Sequence, residues 1–317
     1  MKHIFFIIII NLAFSYSEII TFNSLNPFSL KDIISNINNL EEQEVYGKLT
    51  IPDEFIDKKI PLIIGVAGSK DWGSHHLEYI KMYQNMGIAT LELQSFKSRG
   101  EISTVGTQNT VTIPMVIMDS YKALDKLALH PNIDISKVAI TGWSLGGGVT
   151  LFSAWGPIIE AINPKHKFSA HLALYPPCFA LPENLEFSNV PIHILIGELD
   201  QWVPAKACEE LTSKMNEFGH EIGITIYKNA HHSFDRNQDL IVAENGYNFT
   251  DCRFKLTDDG AVRMNFFNIP MTTPLLQKIG FSTCASRNPL FGGHPESREK
   301  AFTFSKKFMS THLLNDY

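Results

Sequence analysis

The chain has 317 residues, of which 44% are hydrophobic and 19% are charged. This is the composition of a globular protein with enough apolar residues for a large core. The formal net charge is −6, and the basic clusters, such as Lys58 with Lys59, are short. We therefore expect no nucleic-acid partner.

Residues 1–17 have the pattern of a secretion signal. Lys2 gives a positive start, apolar residues fill 4–10 and 12–14, and Ser15 and Ser17 form a small-x-small cleavage site. The apolar run is too short to span a bilayer comfortably, so no stable membrane anchor is expected after cleavage. An uncleaved anchor is the alternative. Export predicts a periplasmic or secreted protein, in an oxidising compartment where cysteines can pair.

Strand and helix patterns alternate along the rest of the chain. Apolar, β-branched runs predict strands at 41–50, 61–67, 88–93, 138–143, 168–175, 190–196 and 222–227. Helical spacing of apolar residues predicts helices at 77–86, 117–128, 145–154, 208–218 and 301–313. The first of these strands is expected at a sheet edge.

This alternation indicates an α/β fold with a mostly parallel central sheet and helices on both faces. We expect a single domain over residues 18–317. An irregular insert at about 240–295 interrupts the pattern, and within it residues 253–256 and 262–266 predict a hairpin. The insert is expected to pack near the rim of the site, because ligands bind beyond the carboxyl ends of parallel strands.

The most informative stretch is Gly142-Trp143-Ser144-Leu145-Gly146, which follows a buried strand and precedes a helix. This G-x-S-x-G pattern is that of a nucleophile elbow, where a sharp turn exposes a serine hydroxyl. The flanking glycines allow the turn to pack closely. The Leu145 N–H, at the start of the helix, is aimed at a developing oxyanion.

A serine nucleophile needs a base and a carboxylate that orients the base. Asp200 follows the second strand after Ser144, and a histidine pair follows the next strand, which gives the chain order Ser…Asp…His of α/β hydrolases. Spacing alone does not distinguish His231 from His232.

Several motifs together resemble the dienelactone hydrolase family of α/β hydrolases. These are the elbow, the Gly-Glu-Leu-Asp strand end at Asp200, and Ala-His-His-Ser-Phe-Asp, over roughly residues 45–235. The resemblance implies that His232 is the base, with Phe234 matching the family's phenylalanine. The chain departs from founding members in having Ser144 where they have cysteine, which puts dienelactone itself in doubt as substrate. It also has Ala67-Gly68-Ser69 where the superfamily often has His-Gly. The second oxyanion donor is therefore expected to be the N–H of Ser69 or Lys70.

Other residues near the predicted site are candidates for substrate binding. Arg99 suits a substrate carboxylate, with a structural ion pair as the alternative. Trp72 and Trp202 are candidates for lining an acyl pocket. The pairs at His75 and His231 lack the spacing of metal ligands on a helix, so neither a metal nor a cofactor is expected.

The four cysteines are expected to form two disulfides. Cys178 and Cys208 follow neighbouring strand positions, and Cys252 and Cys284 bracket the irregular insert. We predict the pairs 178–208 and 252–284. For Cys208 the alternative is a buried thiol, because it has helical spacing with Leu211 and Met215.

The sequence therefore predicts an exported serine esterase that cleaves a small-molecule ester or lactone. One alternative is a peptidase similar to the prolyl oligopeptidase catalytic domain, although the chain has no room for that family's additional domain. A second alternative is a binding protein that keeps the fold without turnover. Comparison of ester and aminoacyl-prolyl amide substrates distinguishes the esterase from the peptidase. A fluorophosphonate probe distinguishes both enzymes from the binding protein.

The cleavage site gives a first testable prediction. The exported protein is expected to begin near Glu18, because Ser15 and Ser17 occupy the small positions that a signal peptidase requires. Mass-spectrometric sequencing of the native N-terminus measures this directly. Recovery of Met1 in the exported fraction would show that the segment is retained.

Overall fold

The computed structural model describes residues 15–314. Residues 1–14 of the predicted secretion signal lie outside the described residues, and its last three residues begin the first strand. Within the described residues, every helix is too short or too polar to cross a membrane.

An eight-stranded sheet forms the centre of the molecule, in the order β1-β2-β4-β3-β5-β6-β8-β9. The pairs β1–β2 and β2–β4 are antiparallel and the remaining pairs are parallel. The strands are β1 (Ser15–Leu25), β2 (Glu42–Pro52), β3 (Ile60–Val66), β4 (Ala89–Leu93), β5 (Ile133–Trp143), β6 (Ala170–Leu174), β8 (Ile192–Gly197) and β9 (Ile222–Tyr227), with β7 (Ala180–Pro182) outside this sheet.

The prediction that residues 41–50 form an edge strand is wrong, because β1 covers β2 along its whole length. The register runs from Ser15 opposite Pro52 to Leu25 opposite Glu42. Ile20 and Phe22 face the core, while Ile19 before them and Thr21 between them are exposed. This alternation is the mark of a strand with one buried face. The sequence did not predict this strand, because its first three residues fall in the predicted cleavage site.

The principal helices follow the strands as predicted for an α/β fold. They are α1 (Leu30–Asn36), α2 (Ser74–Gln84), α3 (Ile113–Leu127), α4 (Leu145–Phe152), α5 (Gly156–Ile162), α6 (Ala205–Phe218), α7 (Pro274–Ser282) and α8 (Pro295–Met309). Helix α2 contacts α8, and α3 contacts α4. The central strands β4 and β6 are buried along their whole length, since helices and neighbouring strands cover their apolar side chains.

The insert has little regular structure, and one of its short strands joins it to a strand outside the insert. The predicted hairpin is confirmed as β12 (Phe254–Leu256) and β13 (Val262–Arg263), and β12 also pairs in parallel with β7. Two further antiparallel pairs involve β10 (Ile241–Val242) with β15 (Leu290–Phe291), and β11 (Tyr247–Asn248) with β14 (Ser286–Arg287).

Both predicted disulfides are confirmed. Cys178 and Cys208 have Cα atoms 4.9 Å apart, and those of Cys252 and Cys284 are 5.1 Å apart. The buried-thiol alternative for Cys208 is thereby excluded. The first bond joins α6 to the segment after β6. The second closes the middle of the insert on itself.

Removal of the insert disulfide in the variant Cys252→Ser/Cys284→Ser is expected to lower the free energy of unfolding by roughly 3–4 kcal/mol. The reason is that the bond restricts a loop of about 30 residues in the unfolded chain. Urea unfolding measures the change, with Cys178→Ser/Cys208→Ser as the matched control for a loop of nearly equal length. Detection of four free thiols in the denatured, unreduced protein would contradict both pairings.

Candidate active site

Ser144 lies at the turn between β5 and α4 in a strained backbone conformation, with φ +56° and ψ −112°. A non-glycine residue rarely adopts positive φ, and such strain is held only by surrounding packing. A Cβ at Gly142 would collide with the carbonyl oxygen of Gly146, and one at Gly146 would collide with that of Val66. The two glycines of the motif are therefore required by the close approach of three backbone segments.

Ser144, His232 and Asp200 form one line of hydrogen bonds. The Ser144 Oγ is 3.0 Å from His232 Nε2, and His232 Nδ1 is 2.7 Å from Asp200 Oδ2. The other carboxylate oxygen of Asp200 accepts the Val203 N–H at 2.9 Å. Because an ionised carboxylate only accepts hydrogen bonds, Nδ1 carries the proton and Nε2 is free to accept one from Ser144.

The structure decides which histidine meets Ser144. His232 is 2% exposed and packs between Tyr175 and Trp202, with ring centroids 4.8 Å and 5.0 Å away. Its carbonyl accepts the Gly292 N–H at 3.0 Å, so the end of the insert holds the histidine loop in place. His231 is not part of this line, and its Nδ1 has no hydrogen-bond partner among the described residues.

The loop after β3 passes directly beside Ser144. A Cβ at Gly68 would lie 3.2 Å from the Trp143 carbonyl oxygen and 3.6 Å from Ser144 Cβ. Ser69 and Leu145 line the same cavity as Ser144. The Lys70 side chain is exposed, and its Nζ lies 5.2 Å from the ring centroid of Phe291. Of the two candidates for the second oxyanion donor, Ser69 lines the cavity and Lys70 does not.

Arg99 does not lie at the cavity. Its guanidinium is buried and makes two hydrogen bonds to Asp119, of 2.8 Å and 3.1 Å, and one to Asn26. This is the structural ion pair that the sequence left open as the alternative to a substrate contact. Trp72 is likewise outside the cavity lining, because its Nε1 donates to the Leu93 carbonyl and its ring packs edge-on against Trp143. Trp202 does line the cavity, as expected.

The cavity beside Ser144 has a volume of about 180 Å³ and is largely apolar. Much of its wall comes from the insert, in particular from Phe249, Phe254 and Phe281. Sequence analysis missed these residues because they belong to a segment without helix or strand periodicity. The excess of phenylalanine in an otherwise irregular insert was the available indication.

A family model described as the dienelactone hydrolase family matches residues 82–250, which is more than half of the chain and includes Ser144, Asp200 and His232. The chain belongs to the dienelactone hydrolase family. None of the curated protein sequences matches it significantly.

The chain is similar to several solved structures. A dienelactone hydrolase-like promiscuous phosphotriesterase from metagenomic libraries is 14% identical, with a TM-score of 0.57 over 94% of this chain and 99% of that chain. A Klebsiella pneumoniae protein described provisionally as a dienelactone hydrolase is 19% identical, with a TM-score of 0.49 over 69% and 89% of the two chains. Thermogutta terrifontis esterase 2 is 15% identical, with a TM-score of 0.47 over 63% and 83%. The first comparison supports the α/β-hydrolase fold of this family member.

Behind the hydrogen-bonded line lies a second buried polar group, Asp235. Its Oδ1 accepts the Tyr175 hydroxyl at 2.9 Å and lies 3.9 Å from His75 Nε2, while Arg298 donates to its main-chain carbonyl. Burial raises the pKa of Asp235 to about 6. Burial also lowers the pKa of His75, so this histidine is neutral. Because the Tyr175 ring packs on His232, Asp235 supports the position of the histidine through Tyr175.

The raised pKa of Asp235 predicts an unusual pH dependence of stability. The folded protein keeps this proton up to about pH 6, whereas the unfolded chain loses it near 3.8. The contribution of Asp235 to stability is therefore fully present below the unfolded pKa and is lost as pH rises through about 6. Relative to Asp235→Asn, the wild-type free energy of unfolding should fall by up to roughly 3 kcal/mol between pH 4 and pH 7.

Urea unfolding of both proteins across this pH range tests the prediction, since other titrating groups cancel in the difference. A difference that does not change with pH would show that the Asp235 carboxyl titrates alike in the folded and unfolded states.

Proposed function

We propose that this chain is a serine hydrolase that cleaves small carboxylic esters or lactones through an acyl-enzyme. The observation that carries the proposal is the hydrogen-bonded line from Ser144 through His232 to Asp200, at the mouth of an apolar cavity. Membership of a hydrolase family supports it. Ser144 is the nucleophile, His232 the general base and Asp200 the orienting carboxylate.

In the first step, Ser144 Oγ bonds to the ester carbonyl carbon while its proton passes to His232 Nε2. The carbonyl π electrons move to the oxygen, and the N–H groups of Leu145 and Ser69 stabilise the resulting oxyanion. The Leu145 N–H suits this role because it is among the first amides of α4, which have no acceptor within the helix. Asp200 stabilises the imidazolium that forms.

In the second step, the oxyanion collapses and the bond to the leaving oxygen breaks, with His232 giving its proton to the alcohol. His232 then removes a proton from water while the water oxygen bonds to the acyl carbon. The new oxyanion collapses, the bond to Ser144 Oγ breaks and His232 returns its proton to Oγ, which releases the acid and free Ser144. With a lactone the alcohol and acid remain one molecule. A hydroxyl nucleophile depends on the neighbouring base more than a thiol does.

We also propose that the protein acts outside the cytoplasm, either in the periplasm or after secretion. Two buried disulfides support this placement, because such bonds persist mainly in oxidising compartments. The pattern of residues 1–17 is the independent sequence argument.

Substitutions in the line of hydrogen bonds test the proposed mechanism. Ser144→Ala and His232→Ala should each lower kcat on p-nitrophenyl acetate by up to about 10⁶-fold, and Asp200→Asn by on the order of 10⁴-fold. The losses should not add in double variants, because the three groups act as a unit. Steady-state kinetics and circular dichroism together separate loss of chemistry from loss of fold.

The neighbouring residue provides the matched control. His231→Ala should keep most of the activity, because His231 does not contact Ser144. Wild-type protein should label with a fluorophosphonate at Ser144, and Ser144→Ala should not. Parental activity in Ser144→Ala would refute the mechanism, and an unlabelled wild-type protein would favour a binding role. Preference for an aminoacyl-prolyl amide over esters would favour the peptidase.

A further inference from the structure

The insert supplies one wall of the cavity beside Ser144. Phe249, Phe254, Leu256, Val262, Met271 and Phe281 all line it. Most of these residues lie beyond residue 250, where the match to the family model ends. One side of the cavity is therefore formed by a segment that the family pattern does not describe.

This wall is cross-linked and well packed. The rings of Phe249 and Phe179 are stacked with centroids 4.4 Å apart, and Phe281 contacts Phe249 edge-on at 4.8 Å. The Cys252–Cys284 disulfide joins the two stretches of chain that carry Phe249 and Phe281. Because covalent and aromatic contacts hold the same segments, the wall has a fixed position relative to Ser144.

The N-terminal part of the chain fixes the insert from the other side. The Lys31 Nζ is 2.6 Å from an Asp259 carboxylate oxygen. Gly260 packs on the backbone of Leu30 so closely that a Cβ would lie 2.6 Å from the Leu30 carbonyl carbon. Leu30 itself lines the cavity. The insert and the start of α1 thus both line the cavity, which remains partly open to solvent.

The cavity lies on the acyl side of the reacting bond. Ser69 and Leu145, the proposed oxyanion donors, line it together with Ser144, whereas His232 and Asp200 do not. The leaving group must sit next to His232, which protonates it. The group that extends into the cavity is therefore the acyl chain, which stays attached to Ser144 after the alcohol departs.

The lining chemistry defines the acyl group. Among the described residues that line the cavity, none has an ionisable side chain. A charged acyl group would lose its hydration there without gaining a partner. The volume of about 180 Å³ slightly exceeds that of a cavity that holds benzene. It therefore has room for a chain or ring of about six carbons.

We propose that the insert forms an acyl pocket that selects uncharged, apolar acyl groups of about six carbons. This inference rests on the proposed function and specifies its substrate class.

Activity on p-nitrophenyl esters with one constant leaving group tests the pocket. Each methylene buried in the cavity should raise kcat/KM by about fourfold, so hexanoate should exceed acetate by on the order of 100-fold. Dodecanoate, which exceeds the volume, should fall below hexanoate. The mono-p-nitrophenyl ester of adipic acid matches hexanoate in length but ends in a carboxylate, and it should react about 100-fold more slowly.

Variants of insert residues test whether the insert causes the preference for an acyl chain length. Val262→Phe fills part of the cavity and should lower the ratio of kcat/KM on hexanoate to kcat/KM on acetate at least tenfold. Val242→Phe is the matched control, because Val242 lies in the same insert, is 50% exposed and does not line the cavity. Phe281→Leu, which enlarges the cavity, should move the optimum to longer chains and is an independent test should Val262→Phe fail to fold.

The outcomes separate this inference from the proposed function. If acetate hydrolysis depends on Ser144 but activity is equal for acetate, hexanoate and adipate, the acyl pocket is refuted and the hydrolase stands. An equal effect of Val262→Phe and Val242→Phe would also refute it. If no ester reacts at Ser144, both proposals fail.

Discussion

The site depends on the close approach of three backbone segments around Ser144. The end of β5, the start of α4 and the carbonyl of Val66 at the end of β3 meet with no space for a Cβ at Gly142 or Gly146. This packing holds Ser144 at a positive φ that an isolated chain would avoid. The resulting turn presents the hydroxyl within hydrogen-bond distance of His232, with α4 beginning directly after it.

The surroundings of His232 come from distant parts of the chain. Asp200 orients the ring, Trp202 and Tyr175 pack on it, and the Gly292 N–H holds its carbonyl. Buried Asp235 in turn receives the Tyr175 hydroxyl. Such packing suits the general-base role that we propose for His232, because small displacements of a base lower the rate strongly.

The insert lines one side of the pocket beside Ser144. An α/β sheet presents its ligand site beyond the strand ends, and what covers that edge decides which substrates fit. Here a cross-linked segment with little regular structure provides the cover. A segment of this length without regular structure loses much conformational entropy when it becomes ordered. The disulfide and the aromatic contacts of the insert compensate for that loss.

The sequence by itself determined the sheet and helix alternation, the elbow at Ser144, the order of Asp200 and His232 and the two disulfides. These features depend on local periodicity and on spacing along the chain, so they can be predicted from the sequence alone. Only the tertiary structure decided that β1 covers β2, that Arg99 pairs with Asp119, and that the insert walls the cavity. Those outcomes depend on contacts between residues far apart in sequence. The local sequence around an arginine is the same whether the arginine forms a buried ion pair or binds a substrate.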